Sequence, residues 1–226
     1  MLLEPTESEI QAIVDTYAGD RHLYEQFVDA VRGFFEKTPA FKKGPLPLVH
    51  SIRSRLKDPD HLREKVARKW HDGNITPLNL RARITDLAGV RVLHLHTSQF
   101  PAIHAEIMKH IASQSWHLHE PPKAYSWDPD AKAIFSRSGI SVVEKDSYTS
   151  VHYVVRPHLG SDITCEIQIR TLFEEIWGEI DHVLNYPTPS KSASCREQLK
   201  VLAKLSSAGT RLADAIFVTL QEQSGS

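Results

Sequence analysis

The segment CEIQIRTLFEEIWGEIDHVLNY, residues 165–186, decides the fold, because it predicts a buried strand that runs directly into a helix. Alternate residues of a strand share one face of a sheet. Glu166, Gln168 and Arg170 therefore point to one side of the strand, and the two isoleucines between them point to the other. A carboxylate, an amide and a guanidinium on the face opposite a buried one make this strand the first candidate for a functional site.

Periodicity along the rest of the chain predicts helices at both ends, with strands and helices alternating between them. Residues 121–138, which hold two adjacent prolines and the string SWDPDAK, are predicted as a long loop. The order of elements indicates an α+β fold in which helices flank a mixed β-sheet. The predicted helices cover residues 6–17, 20–36, 59–70, 101–113, 171–184 and 192–221, and the predicted strands cover residues 48–56, 87–95, 115–119, 140–144, 149–156 and 162–169.

The predicted elements divide the chain into three parts. These are an N-terminal helical extension at residues 1–44, a central domain at 45–190 and a C-terminal helix at 191–226. The C-terminal helix carries an apolar stripe, a pattern that favours packing in a core over an interface. The stripe consists of Leu199, Leu202, Leu205, Leu212 and Ile216.

Composition excludes several classes of protein. The 226 residues are 41% hydrophobic and 24% charged, which is ordinary for a soluble globular protein. No apolar run reaches about 18 residues, so no transmembrane helix is predicted, and the first residues lack the pattern of a secretory signal. Two cysteines make neither a disulfide framework nor a cysteine-type zinc site. We therefore expect a cytoplasmic protein, and its net charge of −1 disfavours a general nucleic-acid coat.

A cluster of cations lies between residues 53 and 69, where seven Lys and Arg residues stand against three acids. Arg55 and Lys57 share one strand face, and Lys65 lies on the helix that follows. Clustered cations on a strand and helix suit a polyphosphate, because they neutralise it and donate hydrogen bonds to it. A solvated charged surface is the alternative interpretation.

A second group surrounds a buried strand. Asp86 lies at its mouth, Gly89 permits close approach of a ligand, and Arg91 interrupts an apolar run and therefore needs a partner. Paired with Glu166, Asp86 offers the two carboxylates that, together with substrate phosphates, usually hold Mg²⁺. A structural ion pair between Asp86 and Arg91 is the alternative.

A third group consists of Tyr148 and His152, which share one face of a strand with the serine between them. An aromatic side chain at the end of a loop suits stacking on a nucleobase. Together the three groups and the first strand supply what phosphoryl-type transfer needs: cations for phosphates, acids for a metal and an aromatic for a base. On the helix after that strand, Trp177 is predicted to be core, and Glu179 and His182 are spaced to pair with each other.

These groups, in this order, resemble the synthetase domain of the RelA/SpoT alarmone synthetases, and the chain is similar in length to their small single-domain members. The strongest similarity is EIQIRT…WxExxH…Y at residues 166–186, and DLAGVRV at 86–92 matches the family pattern DxxGxRV. Residues 55–69 resemble the segment that binds ATP, and residues 147–155 resemble the GYxSxH strand. The resemblance covers residues 45–190 and implies a nucleotidyltransferase-like fold.

The family transfers pyrophosphate from ATP to the ribose 3′-hydroxyl of GDP or GTP, and so makes (p)ppGpp. Carried over by motif, the resemblance implies that Arg55 and Arg91 sandwich the adenine and that Lys57 and Lys65 hold the ATP phosphates. An arginine plane stacks on a base where lysine cannot.

The metal and acceptor sites follow from the same motifs. The resemblance implies that Asp86 and Glu166 hold Mg²⁺ and that Glu166 also helps to deprotonate the attacking hydroxyl. It assigns the acceptor site to Tyr148, which would stack on guanine, with His152, Gln168 and Arg170 in support and Lys145 near the acceptor phosphates.

The chain departs from the family pattern at two places. His61 replaces a serine of the ATP segment, and Ser147 replaces the glycine before the stacking tyrosine. Because residues 143–147 shape the acceptor site, three functions stay open. They are a (p)ppGpp synthetase, a toxin-type relative that modifies adenine nucleotides or the 3′ end of tRNA, and a degenerate nucleotide-binding regulatory module. The presence of both Asp86 and Glu166 argues against the last.

Two further expectations concern metals and assembly. Among thirteen histidines, His94 with His96 and His117 with His119 have same-face spacing, but no flanking acid or cysteine completes a zinc site. Zinc is therefore disfavoured. The resemblance implies a homo-oligomer, either a dimer or a tetramer, and no membrane partner.

Overall fold

The computed structural model describes residues 4–43, 46–73, 75–186 and 188–224. These residues form one mixed β-sheet with helices on both faces. The helices are α1 (Glu7–Lys37), α2 (Pro59–Lys69), α3 (Leu80–Arg83), α4 (Phe100–Ala112), α5 (Pro129–Arg137), α6 (Leu172–Asn185) and α7 (Ala193–Ser224). The strands are β1 (Ser51–Leu56), β2 (Ala88–His94), β3 (His117–Tyr125), β4 (Ser141–Val143), β5 (Ser150–Arg156) and β6 (Cys165–Thr171).

The sheet has the strand order β1-β2-β6-β5-β3-β4. Strands β2 and β6 run parallel at its centre, with Gly89 opposite Glu166 and Arg91 opposite Gln168. Strand β1 pairs antiparallel with β2, which places Arg55 opposite Gly89. Because paired residues point to the same side of a sheet, these polar residues all share one face.

The opposite face of the sheet packs against α1 and forms the hydrophobic core. Val90 and Val92 of β2 and Ile167 and Ile169 of β6 are at most 1% exposed. The alternation that the sequence predicted for residues 165–171 is therefore confirmed, and so is the strand that runs into a helix. Residue Thr171 begins that helix with a capping box closed by Glu174.

The prediction of two helices at 6–17 and 20–36 was wrong, because α1 continues through Gly19 without a break. A single glycine costs a helix only about 1 kcal/mol. Burial of Tyr17 and Tyr24 on either side of Gly19 offsets that cost.

The prediction of a long loop at 121–138 was also wrong, because this segment holds the end of β3 and all of α5. The two prolines lie where the pairing of β3 with β5 shifts register, between Glu120 and Lys123, so the ladder needs no hydrogen bond from them. Helix α5 begins at Asp128 and Pro129, where the carboxylate accepts from two backbone amides. The same Asp-Pro signal correctly predicted the start of α2 at Asp58.

Helix α7 packs on α6 mainly through its first half. Leu199 is buried there, but Leu205, Leu212 and Ile216 are more than half exposed, so the expected core stripe is wrong for these three residues. Polar contacts hold the second half instead, and Asp214 accepts hydrogen bonds from the His96 ring and from Ser98.

Two remaining observations concern the whole described chain. Cys165 and Cys195 are both free thiols. None of the helices among the described residues combines the length and the apolar character that a membrane span requires.

Helix α1 supports the polar end of the sheet through one buried hydroxyl, which gives a first prediction. Tyr17 donates to the carbonyl of Lys57 at 2.8 Å. Replacement by Phe leaves this part-buried carbonyl without its partner and should lower the free energy of unfolding by about 1–2 kcal/mol in urea denaturation.

Tyr24→Phe is the matched control. The Tyr24 hydroxyl is buried and has no hydrogen-bond partner within the described part of the chain. Its removal should leave stability unchanged or raise it. Equal losses for the two variants would contradict the role given to the Tyr17 hydroxyl.

Candidate functional site

A cleft of about 480 Å³ lies between the polar face of the sheet and helix α6. Strands β1, β2 and β6 form its floor and α6 forms its wall. Gly89 lies in the floor, where an added Cβ would make only ordinary contacts, 3.6 Å from the Glu166 carbonyl oxygen. The missing side chain thus leaves room in the cleft. The other lining residues include Arg53, Arg55, Asp86, Arg91, Tyr148, Glu166, Gln168, Arg170, Gly178, Glu179 and His182.

The structure brings all the residues predicted for the site into this cleft or into contact with its lining. The four that do not line it reach it through a neighbour. Lys57 and Lys65 bind Asp86, His152 binds Glu166, and the Lys145 ammonium lies over the Tyr148 ring.

Asp86 forms the charged centre at one end of the cleft. Its carboxylate lies 2.8 Å from the Lys57 Nζ and 2.6 Å from the Lys65 Nζ. Burial raises the pKa of Asp86, but the two ammonium groups outweigh burial and lower the pKa to about 2. Burial also lowers the pKa of Lys57, and Asp86 opposes that shift. The partner of Asp86 is thus a pair of lysines rather than Arg91.

Glu166 is the second carboxylate of the cleft. The His152 Nδ1 lies 3.0 Å from it, and the Gln168 amide donates to it at 2.7 Å. Burial raises its pKa, and these two contacts, with His152 the larger, bring the net pKa below the ordinary value. The group is therefore ionised near neutral pH.

Tyr148, His152 and Glu166 form one hydrogen-bonded chain. Burial raises the pKa of the Tyr148 phenol, so the phenol keeps its proton and donates to His152 Nε2 at 2.9 Å. The imidazole Nδ1 then carries the proton that faces Glu166. A ligand that contacts either end of this chain changes the hydrogen bonding of the other.

The two carboxylates fit a divalent metal that is completed by a substrate. Asp86 raises the pKa of Glu166 by charge repulsion, and a cation near both carboxylates would relieve that repulsion. Among the described residues, no set of three or more His, Cys, Asp and Glu side chains is arranged to hold a metal by itself. Mg²⁺ commonly takes only one or two carboxylates and fills its other positions with water and phosphates.

Arginines of the cleft converge on Glu175 of α6, a residue that the sequence reasoning missed. Arg91 donates to the Glu175 Oε1 at 2.7 Å, and the Arg170 Nε lies 3.0 Å from the Oε2. Arg91 also binds Glu179, so Glu179 does not pair with His182 as its spacing suggested. The helical spacing of residues 175, 178, 179 and 182 was the available signal, because it puts them on one face of α6.

The far end of the cleft is aromatic. The Tyr148 ring contacts His152 and Trp177 at centroid distances of 6.1 Å each, and the Lys145 Nζ lies 4.1 Å from its centroid. Trp177 is buried, as predicted, and its indole donates to the Leu199 carbonyl.

His61 and Ser147, the two residues that depart from the family pattern, have well-defined surroundings in the structure. His61 packs edge-on against Tyr186 at 5.0 Å, and His182 stacks on the same tyrosine, so an aromatic group borders the mouth of the cleft. Ser147 has a φ of 59°, the left-handed conformation that suits glycine.

Comparison with known proteins gives one family and a consistent fold. A family model described as a region found in RelA/SpoT proteins matches residues 54–191. No curated protein sequence matches the chain.

Solved structures with a similar fold come from several bacteria. The small alarmone synthetase 1 from Bacillus subtilis superposes with a TM-score of 0.70 at 20% identity, over 92% of this chain and 99% of that one. Its structure bound to its product pppGpp gives a TM-score of 0.68 at 20% identity, over 91% and 99%. A GTP pyrophosphokinase family protein from Streptococcus pneumoniae gives 0.66 at 21% identity, over 97% of both chains. At these identities the likeness establishes the fold.

The ion pairs of Asp86 predict an acid-dependent loss of stability. Because the folded pKa is about 2 against an ordinary 3.8, the carboxylate contributes about 2 kcal/mol above pH 4. That contribution is lost as the pH falls towards 2. Asp86→Asn should therefore be less stable than wild type at about pH 5, and the gap should shrink by about 2 kcal/mol at about pH 2. A gap in the urea-unfolding free energy that does not change with pH would contradict the assignment.

The left-handed conformation of Ser147 gives a further prediction, which concerns thermal stability. A non-glycine residue in the left-handed region is strained by about 1–2 kcal/mol. Glycine removes this strain, but its greater freedom in the unfolded chain costs about 0.5–1 kcal/mol. Ser147→Gly should raise the melting temperature modestly. Gly139, with a φ of 78° and open space around its Cα, is the matched control. Gly139→Ser should lower the melting temperature, and shifts of the same sign would refute the strain argument.

Proposed function

Because this chain belongs to the RelA/SpoT family, we propose that it is a Mg²⁺-dependent pyrophosphokinase. It transfers the β,γ-pyrophosphate of ATP to the ribose 3′-hydroxyl of GDP or GTP and so makes (p)ppGpp. The observation that carries the proposal is the cleft itself. Two ionised carboxylates lie between a cationic end and an aromatic end on one face of the sheet.

ATP is proposed to occupy the end of the cleft formed by β1 and β2. Arg55 and Arg91 line the cleft from the neighbouring strands β1 and β2, and a planar guanidinium suits stacking on a face of an adenine. Lys57 and Lys65 meet the phosphates, since their ammonium groups already converge on one anionic partner, Asp86. A structure of the Bacillus subtilis enzyme bound to AMPCPP supports an ATP-type ligand in this fold.

The acceptor nucleotide is proposed to lie against Tyr148. Base stacking on an aromatic ring contributes about 1–3 kcal/mol and tolerates several bases. His152 and Gln168 hold the tyrosine and the carboxylate in place. Lys145, whose ammonium lies over the Tyr148 ring, supplies positive charge for the acceptor phosphates, and Arg170 lines the same cleft and supports the pocket.

The transfer is a displacement at phosphorus. The 3′-oxygen forms a bond to the β-phosphorus of ATP, the bond from that phosphorus to the oxygen bridging the α-phosphate breaks, and AMP leaves. The hydroxyl proton passes to the Glu166 carboxylate, which its low pKa keeps ionised. Most of the catalysis is positioning and charge neutralisation, because the transition state spreads negative charge over the phosphoryl oxygens.

Asp86 and Glu166 would hold the metal. When bound, Mg²⁺ would neutralise phosphate charge and make the attacking hydroxyl more acidic. Asp86 would share its carboxylate between the metal and Lys57 and Lys65, whose ammonium groups would also meet the ATP phosphates. The ion pairs of Asp86 with Lys57 and Lys65 therefore place these three side chains near the proposed positions of the metal and the phosphates.

A second candidate keeps the chemistry but changes the acceptor. Ser147 and the residues before it depart from the family pattern in the loop that ends at Tyr148, so an adenine nucleotide or the 3′ end of tRNA is the alternative acceptor. The deciding assay uses ATP labelled at the β- and γ-phosphates with Mg²⁺ and, separately, GDP, GTP, AMP, ADP or deacylated tRNA. Label on a guanine nucleotide supports the proposal, and label on tRNA or an adenine nucleotide supports the alternative.

Glu166→Gln tests the catalytic assignment. The amide keeps the shape of the side chain but neither accepts the proton nor carries charge for a metal, so the rate of transfer should fall by about 10²–10⁴-fold while ATP still binds. Glu36→Gln, on the exposed surface of α1 and paired with Arg32, is the control and should keep full activity. Full activity of Glu166→Gln would remove Glu166 from the mechanism. A wild type that transfers label to no acceptor would leave the regulatory module as the better description.

We further propose a cytoplasmic homo-oligomer, a dimer or a tetramer. Support comes from the apolar side chains that α6 and α7 leave exposed, Val183 and Leu212 among them. Sedimentation of the purified protein measures the state directly.

A further inference from the structure

Glu175 is the buried acid on which the arginines of both proposed nucleotide sites converge. Its side chain is 6% exposed. The two carboxylate oxygens serve different partners: Oε1 accepts from Arg91 at 2.7 Å, and Oε2 lies 3.0 Å from the Arg170 Nε. Arg53, at 3.5 Å from Oε1, is a weaker and more exposed third contact.

The neighbouring residues of α6 contact only one of these arginines each. Glu179 binds Arg91 and is half exposed. Gly178 lies against Arg170, and a Cβ added at Gly178 would approach the Arg170 Nη1 more closely than real Cβ atoms ever do. One face of α6 therefore has a residue specific for Arg91, a residue specific for Arg170, and Glu175 between them.

We infer that Glu175 is a positioning residue that couples the donor and acceptor sites. The inference rests on the proposed function, which assigns Arg91 to the adenine of ATP and Arg170 to the acceptor. A nucleotide that stacks on Arg91 holds this guanidinium, and through it the Glu175 carboxylate, in one position, and the carboxylate then holds Arg170 in the orientation that the second nucleotide needs. Each nucleotide should therefore bind more tightly when the other is present, and by the same factor, since such coupling is reciprocal.

The test measures binding by calorimetry, so it does not depend on turnover. The ligands are GDP and an ATP analogue with a methylene bridge between the α- and β-phosphates, each titrated alone and in the presence of the other. In the wild type each should bind about 5–10-fold more tightly with its partner present. Glu175→Gln keeps the side-chain volume, but its amide group accepts from one arginine and opposes the other. This variant should lose about 10-fold in affinity for both ligands, and its coupling factor should fall to about 1.

Two single-site variants separate coupling from simple loss of contacts. Glu179→Gln should weaken the ATP analogue alone, and Gly178→Ala should weaken GDP alone by displacing Arg170. Both should keep the coupling factor at more than half the wild-type value. Glu175→Asp, which retains both oxygens on a shorter side chain, should recover part of the coupling and serves if the Gln variant does not fold.

The outcomes decide between the two proposals. The role of Glu175 would be overturned if Glu175→Gln kept wild-type affinities and coupling. It would also be overturned if Glu179→Gln lost affinity for both ligands and lost the coupling. Either result would count even if the enzyme transfers pyrophosphate to GDP. A protein that binds both nucleotides with coupling, yet transfers nothing to guanine nucleotides, would refute the proposed function and keep the inference. A wild type that binds neither nucleotide would overturn both.

Discussion

The parallel pairing of β2 with β6 is the constraint on which the rest of the site depends. It places Gly89 beside Glu166 and Arg91 beside Gln168, and each strand contributes every second residue to the polar face. A shift of one residue in either strand would exchange polar for core residues, because side chains alternate across a sheet. The hydrophobic core between α1 and the sheet therefore fixes the geometry of the cleft on the opposite face. Only one register buries Val90, Val92, Ile167 and Ile169.

Internal partners lie against the three carboxylates in and beside the cleft. Asp86 is neutralised by two lysines, Glu166 is hydrogen-bonded by His152 and Gln168, and Glu175 holds Arg91 and Arg170. An unpaired buried charge costs several kcal/mol, so such pairing is what allows so polar a floor beside a hydrophobic core. Under the proposed function, nucleotide binding on this surface would be an exchange of partners. Side chains that are already ordered lose less entropy when they change partners than side chains recruited from solvent.

The sequence predicted the strand alternation of residues 165–171 well, and with it the shared face of Glu166, Gln168 and Arg170, because both depend on a local pattern with a period of two. The same reasoning failed where tertiary structure outweighed a local signal. Gly19 did not end α1, because packing of the buried residues around it outweighs its cost. The two adjacent prolines did not end β3, because they lie at a register shift where no ladder hydrogen bond is needed. Glu175 was missed because its contacts are with Arg53, Arg91 and Arg170, and the first two are 122 and 84 residues away in the chain. The start of α5 is encoded locally, because Asp128 and Pro129 form the same helix-start signal as Asp58 and Pro59.

The ammonium of Lys145 above the Tyr148 ring has a consequence for ligand selection. A cation over an exposed aromatic face contributes about 0.5–1 kcal/mol, and a base that stacks on that face must first displace it. A bare nucleoside recovers none of this energy. A nucleotide with a phosphate tail offers the displaced ammonium a new anion. Under the proposed function, the lysine would therefore favour nucleotides over free bases and nucleosides by about 2–5-fold in affinity.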